Sequence, residues 1–559
     1  MCKTNIILIL TYFISGVYSD AAICHSRTIN LTSPDTFGTL PYDSASIVDI
    51  PHGTHCLYKF NVPRGYALQL RTLYNLVDPK SALILTNPLG IDMVYNRFGE
   101  TIDEDYWCTA GTCSFEIQSV SGISFITNYW FRSLSTWTNI DKLTGDYYRL
   151  SDIRQNQCLK YYGSGVALTL AQNTSQADFV NLKNYYIYNG SDIIQSALMG
   201  TLDDLKTSSL YLGYNFVSIV NFYSGLDSNA VVIGNDRNSI SNSYKFILTS
   251  PDQMMSQEFS DLSEEGTSVT FACSDCNQFY VTQLTFNGAS GYVALQGQTP
   301  SQPYLSKVIT YNASTFTQNQ LPQLIPTNKF TIFYYKCNFT IQLYSGNDYQ
   351  YWKTPYFGRK GVISTASVWD NLLQNGNFVY EFRDNSQLFN FFIDLRNMDF
   401  GGGPQDLLIL RIGSGPNYND LISLTYPGAN QTTVSSIGNY MYLSSNFSMF
   451  TKLVLPFEMT EGPSTSTVVT STVPPTTSTT TVISTTKIST SPTKVLTSVS
   501  TNPPNTQPPV TSSTIMTSIS PNTTQSSFTS STTVVTTTQS ANVKDRVRII
   551  AFLFIFAAF

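Results

Sequence analysis

The stretch YALQLRTL at residues 66–73 decides the fold class, because its apolar side chains are separated by polar ones at Gln69 and Arg71. Period-two alternation puts the apolar side chains on one face of an extended strand, so it predicts a half-buried β-strand. Similar short runs, separated by Gly, Asn, Pro and Asp, occur at residues 81–86 (SALILT), 185–188 (YYIY), 330–335 (FTIFYY) and 406–412 (DLLILRI). Long segments with the 3.6-residue period of a capped helix are missing, and we therefore predict an all-β chain.

The length and the charge of the chain bound its organisation. It has 559 residues, which is too many for one hydrophobic core and indicates roughly three or four folded units. Charged residues form only 12% of the chain, the net charge is −6, and no basic cluster is present. Because phosphate binding needs clustered Lys and Arg, we predict no nucleic-acid partner. A strand followed by a Gly or Asn turn recurs in the sequence, so we predict tandem β-sandwich modules at residues 20–135, 136–250, 251–355 and 356–459.

Residues 1–19 have the features of a signal peptide. Lys3 supplies a positive n-region, residues 6–14 form an apolar run too short to span a bilayer, and Val17 and Ser19 are small enough for a cleavage site. A buried N-terminal strand is the alternative. Cleavage would remove Cys2 and leave an even number of cysteines in a secreted chain, which indicates disulfides. These cysteines are Cys24, Cys56, Cys108, Cys113, Cys158, Cys273, Cys276 and Cys337.

Potential glycosylation sites are spread along the whole chain. Each is an Asn that begins an N-x-S/T sequon without proline. Together with a signal peptide, they predict broad cover by N-linked glycans. The sites are Asn30, Asn173, Asn189, Asn312, Asn338, Asn430, Asn446 and Asn522.

Residues 460–540 differ sharply in composition from the rest. Ser and Thr dominate, Pro recurs, Cys and Trp are absent, and Lys487 and Lys494 are the charged residues of 463–540. Such a segment has too few large apolar groups to offset the entropy of ordering. Ser/Thr/Pro bias is typical of an O-glycosylated, mucin-like stalk, and a plain disordered linker is the alternative.

The last residues predict a glycosylphosphatidylinositol (GPI) anchor. Residues 540–542 are small, residues 543–548 are polar, and residues 549–559 are apolar and too few to span a hydrocarbon core. This order is the pattern of a GPI attachment signal, so we predict Ser540 as the ω-site and residues 541–559 as the removed propeptide. The expected partner is then the outer leaflet of the plasma membrane. A short hydrophobic end on a purely secreted protein is the alternative.

One segment carries a family pattern. Cys24 opens it, and residues 50–66 read IPHGTHCLYKFNVPRGY, in which a cysteine precedes alternating aromatic and apolar residues and then a Pro/Gly turn. A second cysteine pair follows at Cys108 and Cys113. Over residues 24–135 the chain resembles the nematode CUB-like domain family, a divergent relative of CUB.

The resemblance has implications for fold and setting. It implies jelly-roll-type β-sandwiches, in proteins that are often tandem, secreted or GPI-anchored and associated with responses to microbes. A weaker likeness at residues 357–457, where no cysteine occurs, implies a divergent CUB-like module. Residues 136–350 are assigned from the β pattern alone.

The cysteine pairing is predicted in two steps. By resemblance the first domain pairs its first two and last two cysteines, although Cys108 and Cys113 lie closer together than the second pair of ordinary CUB domains. Their four-residue loop allows the Cα separation of about 5.5 Å that a disulfide needs. The other four cysteines allow three connectivities. The favoured set is Cys24–Cys56, Cys108–Cys113, Cys273–Cys276 and Cys158–Cys337. A redox role for the C-x-x-C at 273–276 is the alternative, but a βαβ context is missing.

We predict no catalytic residue. His25, His52 and His55 lie in the first domain, in a pattern that fits solvated loop residues and is not a metal-site signature. The chain has no G-x-S-x-G elbow, and its carboxylates carry no positional signal for glycoside hydrolysis. Some CUB domains bind Ca²⁺ through acidic loop residues. Asp406 resembles such a ligand, and Asp399 precedes it, but no third acidic ligand follows. We therefore expect no cofactor, with Ca²⁺ as the weaker alternative.

These features predict a non-enzymatic protein of the cell surface. The leading hypothesis is a GPI-anchored glycoprotein whose exposed sandwich loops bind an extracellular protein or glycan. By resemblance, its setting would be epithelial defence against microbes. The alternative is a structural glycoprotein of the extracellular coat or matrix.

Overall fold

The structure, a computed structural model, describes residues 25–33, 36–172, 179–206, 211–302, 307–401, 406–415, 417, 419–447 and 451–462. The predicted signal peptide, the stalk from residue 463, the anchor signal with Ser540, and Cys24, Asn173 and Asn522 lie outside these residues. The described chain forms eight β-sheets in four consecutive pairs, and each pair encloses a hydrophobic core. The all-β prediction is confirmed, and we call the four sheet pairs modules 1–4.

Module 1 consists of two five-stranded sheets. They are β1-β4-β9-β6-β7 and β2-β10-β5-β8, with a further short strand, β3, beside β10. The stretch at residues 66–73 lies in a long central strand, where Leu68 and Leu70 are buried and Arg71 is exposed, as the alternation predicts. The strands are β1 (Arg27–Asn30), β2 (Phe37–Leu40), β3 (Val48–Ile50), β4 (Thr54–Val62), β5 (Tyr66–Leu76), β6 (Ala82–Thr86), β7 (Asp92–Tyr95), β8 (Thr101–Cys108), β9 (Gly111–Ser119) and β10 (Ile123–Ser133).

Module 2 pairs a five-stranded sheet, β11-β13-β18-β15-β16, with a four-stranded one, β12-β19-β14-β17. Short 3-10 helices connect its strands at Leu150–Asp152, Leu182–Asn184 and Leu202–Lys206. The strands are β11 (Thr138–Leu143), β12 (Tyr147–Arg149), β13 (Gln157–Tyr162), β14 (Val166–Leu170), β15 (Tyr185–Asn189), β16 (Ala197–Thr201), β17 (Tyr211–Leu212), β18 (Phe216–Asn221) and β19 (Val231–Asp236).

Module 3 repeats this arrangement, with sheets β20-β22-β27-β24-β25 and β21-β28-β23-β26. Its first strand, Lys245–Thr249, pairs in parallel with the third, so the module begins before residue 250, the boundary that the sequence suggested. A 3-10 helix at Arg237–Ser239 precedes the module, and another lies at Gln318–Gln320. The strands are β20 (Lys245–Thr249), β21 (Gln253–Asp261), β22 (Thr267–Cys273), β23 (Phe279–Phe286), β24 (Tyr292–Gly297), β25 (Lys307–Asn312), β26 (Gln323–Ile325), β27 (Lys329–Tyr335) and β28 (Cys337–Ser345).

Module 4 has sheets β29-β37-β31-β35 and β30-β36-β33-β34, with β32 beside β37. A 3-10 helix (Gln350–Lys353) precedes it, and a one-turn α-helix, α1 (Ala366–Trp369), follows its first strand. The strands are β29 (Arg359–Ser364), β30 (Val379–Arg383), β31 (Phe389–Asp394), β32 (Met398–Asp399), β33 (Leu407–Ser414), β34 (Asn419–Tyr426), β35 (Thr433–Gly438), β36 (Tyr440–Asn446) and β37 (Lys452–Glu461).

The four modules share one strand order. When their eight common strands are numbered along the chain, one sheet has the order 2-7-4-5 and the other 1-8-3-6 in every module. Modules 1–3 add an opening strand that pairs in parallel with common strand 2. The chain is therefore a structural repeat of jelly-roll-type sandwiches, although residues 136–350 carry only a β pattern in the sequence.

The junction between modules 1 and 2 is buried and aromatic. Trp107 stacks on Phe222 with ring centroids 5.5 Å apart. Tyr186 Oη donates to the Trp107 carbonyl at 2.9 Å, and the Trp107 amide donates to Tyr223 Oη at 3.3 Å. Trp107 is thus fixed both by ring packing and by its backbone.

Modules 2 and 3 are joined through their backbones. The Gln172 amide donates to the Phe246 carbonyl at 2.7 Å, and the Leu248 amide donates to the Gln172 carbonyl at 3.4 Å. On another part of the junction, the Asp236 amide donates to Ser301 Oγ at 2.7 Å. Hydrogen bonds of this kind fix direction as well as distance, so the junction has a defined geometry.

Candidate functional site

The side-chain amide of Gln323 joins modules 3 and 4 because it pairs with the backbone of Val362 in β29. Gln323 Nε2 donates to the Val362 carbonyl at 2.7 Å, and the Val362 amide donates to Gln323 Oε1 at 2.9 Å. Nearby, Tyr356 Oη donates to the Leu321 carbonyl. Gln323 is itself buried, so both of its amide ends are satisfied away from water.

The segment after β29 is anchored in the core of module 3. Trp369, at the end of α1, is 1% exposed and packs against Phe330 with ring centroids 6.5 Å apart. Its Nε1 donates to Ser364 Oγ at 2.8 Å. Gly297 permits this approach, because a Cβ on Gly297 would lie 2.0 Å from the Trp369 carbonyl oxygen.

A buried carboxylate fixes the same segment one residue later. Gln298 Nε2 donates to Asp370 Oδ1 at 2.8 Å, and Lys329 Nζ lies 3.6 Å from Asp370 Oδ2. The Leu372 amide also donates to Asp370 Oδ1, at 2.9 Å. Buried charges are tolerated when they are paired and hydrogen-bonded, and Asp370 meets both conditions.

A cleft of about 350 Å³ opens between modules 3 and 4 beside this segment. Its walls come from the loops of module 3 and from the chain that runs from the end of β29 into β30. Amide side chains and two aromatic rings predominate, and the lining has no charged residue. The lining residues are Asn277, Gln278, Pro326, Asn328, Ser364, Thr365, Ala366, Leu373, Gln374, Asn375, Gly376, Asn377, Phe378 and Tyr380.

Asn375 holds the wall that module 4 contributes. Its Oδ1 accepts from the Ser367 amide at 3.0 Å, and its Nδ2 donates to the Thr451 carbonyl at 2.6 Å. Ser367 Oγ donates to the same carbonyl at 2.6 Å. These three residues are buried, so they position the cleft rather than face its opening.

Other amides of the lining are available to a ligand. Within the ranges that the structure describes, the side chains of Asn277, Asn328, Gln374 and Asn377 make no hydrogen bond. Gln374, Asn377 and Asn277 are also exposed. An amide offers two donors and a carbonyl acceptor, so each of these side chains can donate hydrogen bonds to a polar ligand or accept them from it.

The aromatic part of the cleft is a stacked pair. Phe378 and Tyr380 have ring centroids 4.5 Å apart and an interplanar angle of 16°. Tyr380 also packs edge-on against Trp352, at 6.2 Å. The Ser445 amide of β36 donates to the Phe378 carbonyl at 3.0 Å, and the Phe378 amide donates to Ser445 Oγ at 3.0 Å. The rings therefore lie on a sheet and not on a free loop.

The predicted calcium residues do not form an acidic cluster. Asp406 is buried and its Oδ2 accepts from Thr451 Oγ1 at 2.6 Å. Asp399 is exposed on β32 and pairs along the backbone with Lys452. Among the described residues, no three His, Cys, Asp or Glu side chains are placed to hold a metal ion.

The three histidines are solvent-exposed. His52 Nδ1 contacts the Val120 carbonyl. The expectation of a loop position is wrong for His55. This residue lies on β4, which begins at Thr54 and pairs with β9. Its Nε2 lies 2.7 Å from Glu116 Oε1. Hydrogen bonds from Gln118 and then from His55 lower the pKa of Glu116.

Two predicted disulfides are present. Cys108–Cys113 has a Cα separation of 6.5 Å and Cys273–Cys276 one of 5.7 Å. Cys56 is disulfide-bonded, while Cys24, its predicted partner, lies outside the described residues.

The predicted bond Cys158–Cys337 is wrong, since both residues are free, buried thiols. Cys158 lies on β13, at the junction of modules 1 and 2, and Cys337 begins β28 in the core of module 3. They belong to different hydrophobic clusters, and the sequence does not reveal this separation.

Six predicted glycosylation sites lie within the described ranges. Asn30, Asn312, Asn430 and Asn446 are exposed, and Asn189 and Asn338 are half-buried. The Asn338 side-chain oxygen accepts from Ser260 Oγ at 2.6 Å, a bond that does not use the nitrogen to which a glycan would be attached. Their glycosylation stays a prediction.

The sequence reasoning missed the cleft. Its signal is local: residues 371–377 read NLLQNGN, with four amides in seven positions. In the sequence this run resembles an ordinary polar loop, because nothing shows that Trp369 anchors it against another module.

Comparison with known proteins identifies one domain. Residues 19–135 match the family described as "CUB-like domain", which confirms the CUB-like prediction for module 1; the narrower nematode family stays a prediction. CUB-like domains are extracellular binding modules and are typically non-catalytic. No curated protein matches the chain. No helix among the described residues has the length and apolar character that crossing a bilayer requires.

Several solved structures are similar to parts of the chain. The CUB1-EGF-CUB2 domains of rat MASP-1 are 10% identical, with a TM-score of 0.16, and the match covers 37% of this chain and 100% of that one. The corresponding domains of human MASP-1/3 are 10% identical, with a TM-score of 0.16 and coverage of 35% and 99%. A chain of Sulfolobus Turreted Icosahedral Virus is 8% identical, with a TM-score of 0.14 and coverage of 76% and 88%.

Proposed function

We propose that this protein is a non-enzymatic binding protein of the cell surface, and that the cleft between modules 3 and 4 is its ligand site. The observation that supports this is the cleft itself, a concave site with unpartnered amides between two modules in fixed contact. Its volume lies at the low end of the range of about 300–1,000 Å³ for ligand sites. Because the junction is already formed, binding does not have to order it.

The proposed setting is the outer face of the plasma membrane. The small residues 540–542 and the apolar residues 549–559 support a GPI anchor, and the Ser/Thr/Pro-rich residues 463–540 support a stalk. The CUB-like domain at residues 19–135 supports an extracellular binding role. By the resemblance of that domain, we propose epithelial defence against microbes as the context.

The test uses the full chain expressed on cultured animal cells. Cells that display it are exposed to labelled microbes, extracellular proteins and glycans, and we expect selective binding of one class. Absence of any binding, together with a thinner cell coat when the protein is removed, would instead favour the structural glycoprotein. For the anchor, we expect phosphatidylinositol-specific phospholipase C to release the protein into the medium. Retention on treated cells would contradict the anchor without affecting the binding result.

A further inference from the structure

We propose that the cleft between modules 3 and 4 binds a neutral saccharide, held by the amides of Gln374, Asn377, Asn277 and Asn328 and by the rings of Phe378 and Tyr380. This inference rests on the proposed binding function and names the class of ligand.

The electrostatics of the cleft favour an uncharged ligand. Its lining contains no Lys, Arg, Asp or Glu. Lys329 and Asp370 lie close by in sequence, but the half-buried Lys329 is paired with the buried Asp370, with Nζ 3.6 Å from Oδ2. A carboxylate, sulfate or phosphate taken out of water needs a cation or several charge-assisted hydrogen bonds. The cleft supplies no cation, so an acidic sugar or a phosphate fits it poorly.

The amides match the chemistry of neighbouring hydroxyl groups. A hydroxyl both donates and accepts, and so does a side-chain amide. Gln374 and Asn377 come from module 4, whereas Asn277 and Asn328 come from module 3. Amides from both walls can therefore bind hydroxyls on both edges of one ring. A purely apolar ligand would leave these groups without partners, which costs free energy.

The aromatic pair suits the remaining face of a sugar. One face of a pyranose ring carries C–H groups and is only weakly polar, and such groups pack favourably on aromatic rings. Phe378 and Tyr380 both line the cleft and are stacked on each other, with centroids 4.5 Å apart at 16°, so the pair can offer a sugar an outer ring face and its ring edges. Amides around an aromatic surface are thus a combination that fits a polyhydroxylated ring better than a peptide or a lipid.

The saccharide can come from two sources. One is a soluble or cell-surface glycan. The other is the chain's own N-glycan at Asn446, which is exposed and is followed by Phe447. Phe447 packs edge-on against Phe378 at 5.9 Å, so a glycan on Asn446 would start close to the aromatic pair. The chemistry of recognition is the same in both cases, and the experiment separates them.

The first arm of the test measures external ligands. The full chain, purified with its native glycans, is applied to an array of neutral and acidic glycans. We compare it with the double variant Gln374→Ala/Asn377→Ala, which removes two exposed amides. We expect neutral glycans to bind and the variant to lose about tenfold in affinity, which is about 1.4 kcal/mol, because two hydrogen-bonding amides are removed.

The matched control removes two amides of module 4 outside the cleft. Gln387 and Gln431 are exposed and do not line it, so Gln387→Ala/Gln431→Ala should bind as the wild type does. Measurable binding of neutral glycans that is equal in the cleft variant and the wild type would overturn the saccharide site. Selective binding of acidic glycans or of a protein would overturn it too, while leaving the proposed binding function intact.

The second arm tests the chain's own glycan. Hydrogen exchange of residues 366–378 is measured in the wild type, in Asn446→Gln and in Asn430→Gln, which removes another exposed sequon of module 4. If the Asn446 glycan fills the cleft, exchange rises at least about tenfold in Asn446→Gln alone, and neutral glycans then bind that variant on the array. If neither the wild type nor Asn446→Gln binds neutral glycans, and exchange is unchanged, the inference is wrong.

Discussion

Arg359 is the most deeply buried cation of the described chain, with 0% of its surface exposed. Its guanidinium donates to the carbonyls of Thr354 and Trp352. Burial lowers its pKa to about 10, because removing the guanidinium from water disfavours its charged form. The compensation comes from these carbonyls and from the aromatic rings within 5.1–5.7 Å of its Cζ, namely Trp352, Tyr356, Phe382 and Phe457.

We predict that Arg359→Ala destabilises module 4 by about 3 kcal/mol or more. It leaves a cavity among the rings and removes the donors from two carbonyls. The measurement is guanidinium chloride unfolding of the full chain, followed by tryptophan fluorescence. The control is Arg411→Ala, which removes an exposed arginine of the same module whose carboxylate partner, Asp420, is also exposed and which should barely move the midpoint. Equal shifts in the two variants would contradict a structural role for Arg359.

The free thiols give a second prediction at this scale. Cys158 is buried, and burial raises its pKa to about 12; burial also raises the pKa of Cys337. The thiolate is the reactive form, so neither should react with iodoacetamide at pH 8 in the folded protein. After unfolding without reductant, mass spectrometry should find both alkylated. Rapid alkylation of the native chain, or a Cys158–Cys337 cross-linked peptide, would contradict the structure.

The cysteines also show what the sequence can predict about single residues. Cys108–Cys113 and Cys273–Cys276 are predictable because short loops keep the two Cα atoms within reach of each other. Cys158–Cys337 depends on which module each residue joins. That is decided by strand order and not by spacing, so an even count of cysteines was misleading here.

At the scale of elements, Gly297 at the end of β24 controls how closely module 4 approaches module 3. Its φ is ordinary, so the requirement for glycine comes from space: an added Cβ would lie 2.0 Å from the Trp369 carbonyl oxygen. We predict that Gly297→Ala displaces α1, costs about 1–3 kcal/mol, and weakens any ligand binding in the cleft. Thermal unfolding and the glycan array measure the two effects.

Gly288→Ala is the matched control for this prediction. A Cβ at Gly288 meets no atom within 4 Å, and the residue is exposed. The chemical change is the same, and both glycines belong to module 3. If Gly288→Ala lowered stability as much as Gly297→Ala does, the close approach at Trp369 would not be the cause.

The strands themselves follow from the sequence, while the cleft does not. In β5 the buried Leu68, Leu70 and Tyr74 alternate with more exposed residues, so local periodicity was sufficient. The amides of residues 371–377 form part of a cleft only because Trp369 packs in the core of module 3. A contact between residues distant along the chain leaves no periodic signal in either segment.

At the scale of the whole molecule, the segments between modules are not free linkers. Each contains a residue that is nearly or fully buried at a junction or core; these are Leu134 (2% exposed), Tyr244 (0%) and Trp352 (1%). Proteases need locally unfolded chain. We therefore predict that limited digestion with proteinase K, after removal of N-glycans, yields one resistant fragment that contains all four modules. Separate fragments of single modules would contradict this prediction.

The same experiment can be made specific to one junction. Trp107→Ala removes the ring that stacks on Phe222 between modules 1 and 2, and large-to-small changes at buried Trp cost about 3–5 kcal/mol. We expect cleavage within residues 134–137 to become at least about tenfold faster, since about 1.4 kcal/mol of lost local stability suffices for that factor. The control is Trp130→Ala, a half-buried tryptophan of β10 away from this junction, which should leave those residues resistant. If both variants were cleaved there alike, the loss would reflect general destabilisation of module 1, and the junction would not be what protects the chain between the modules.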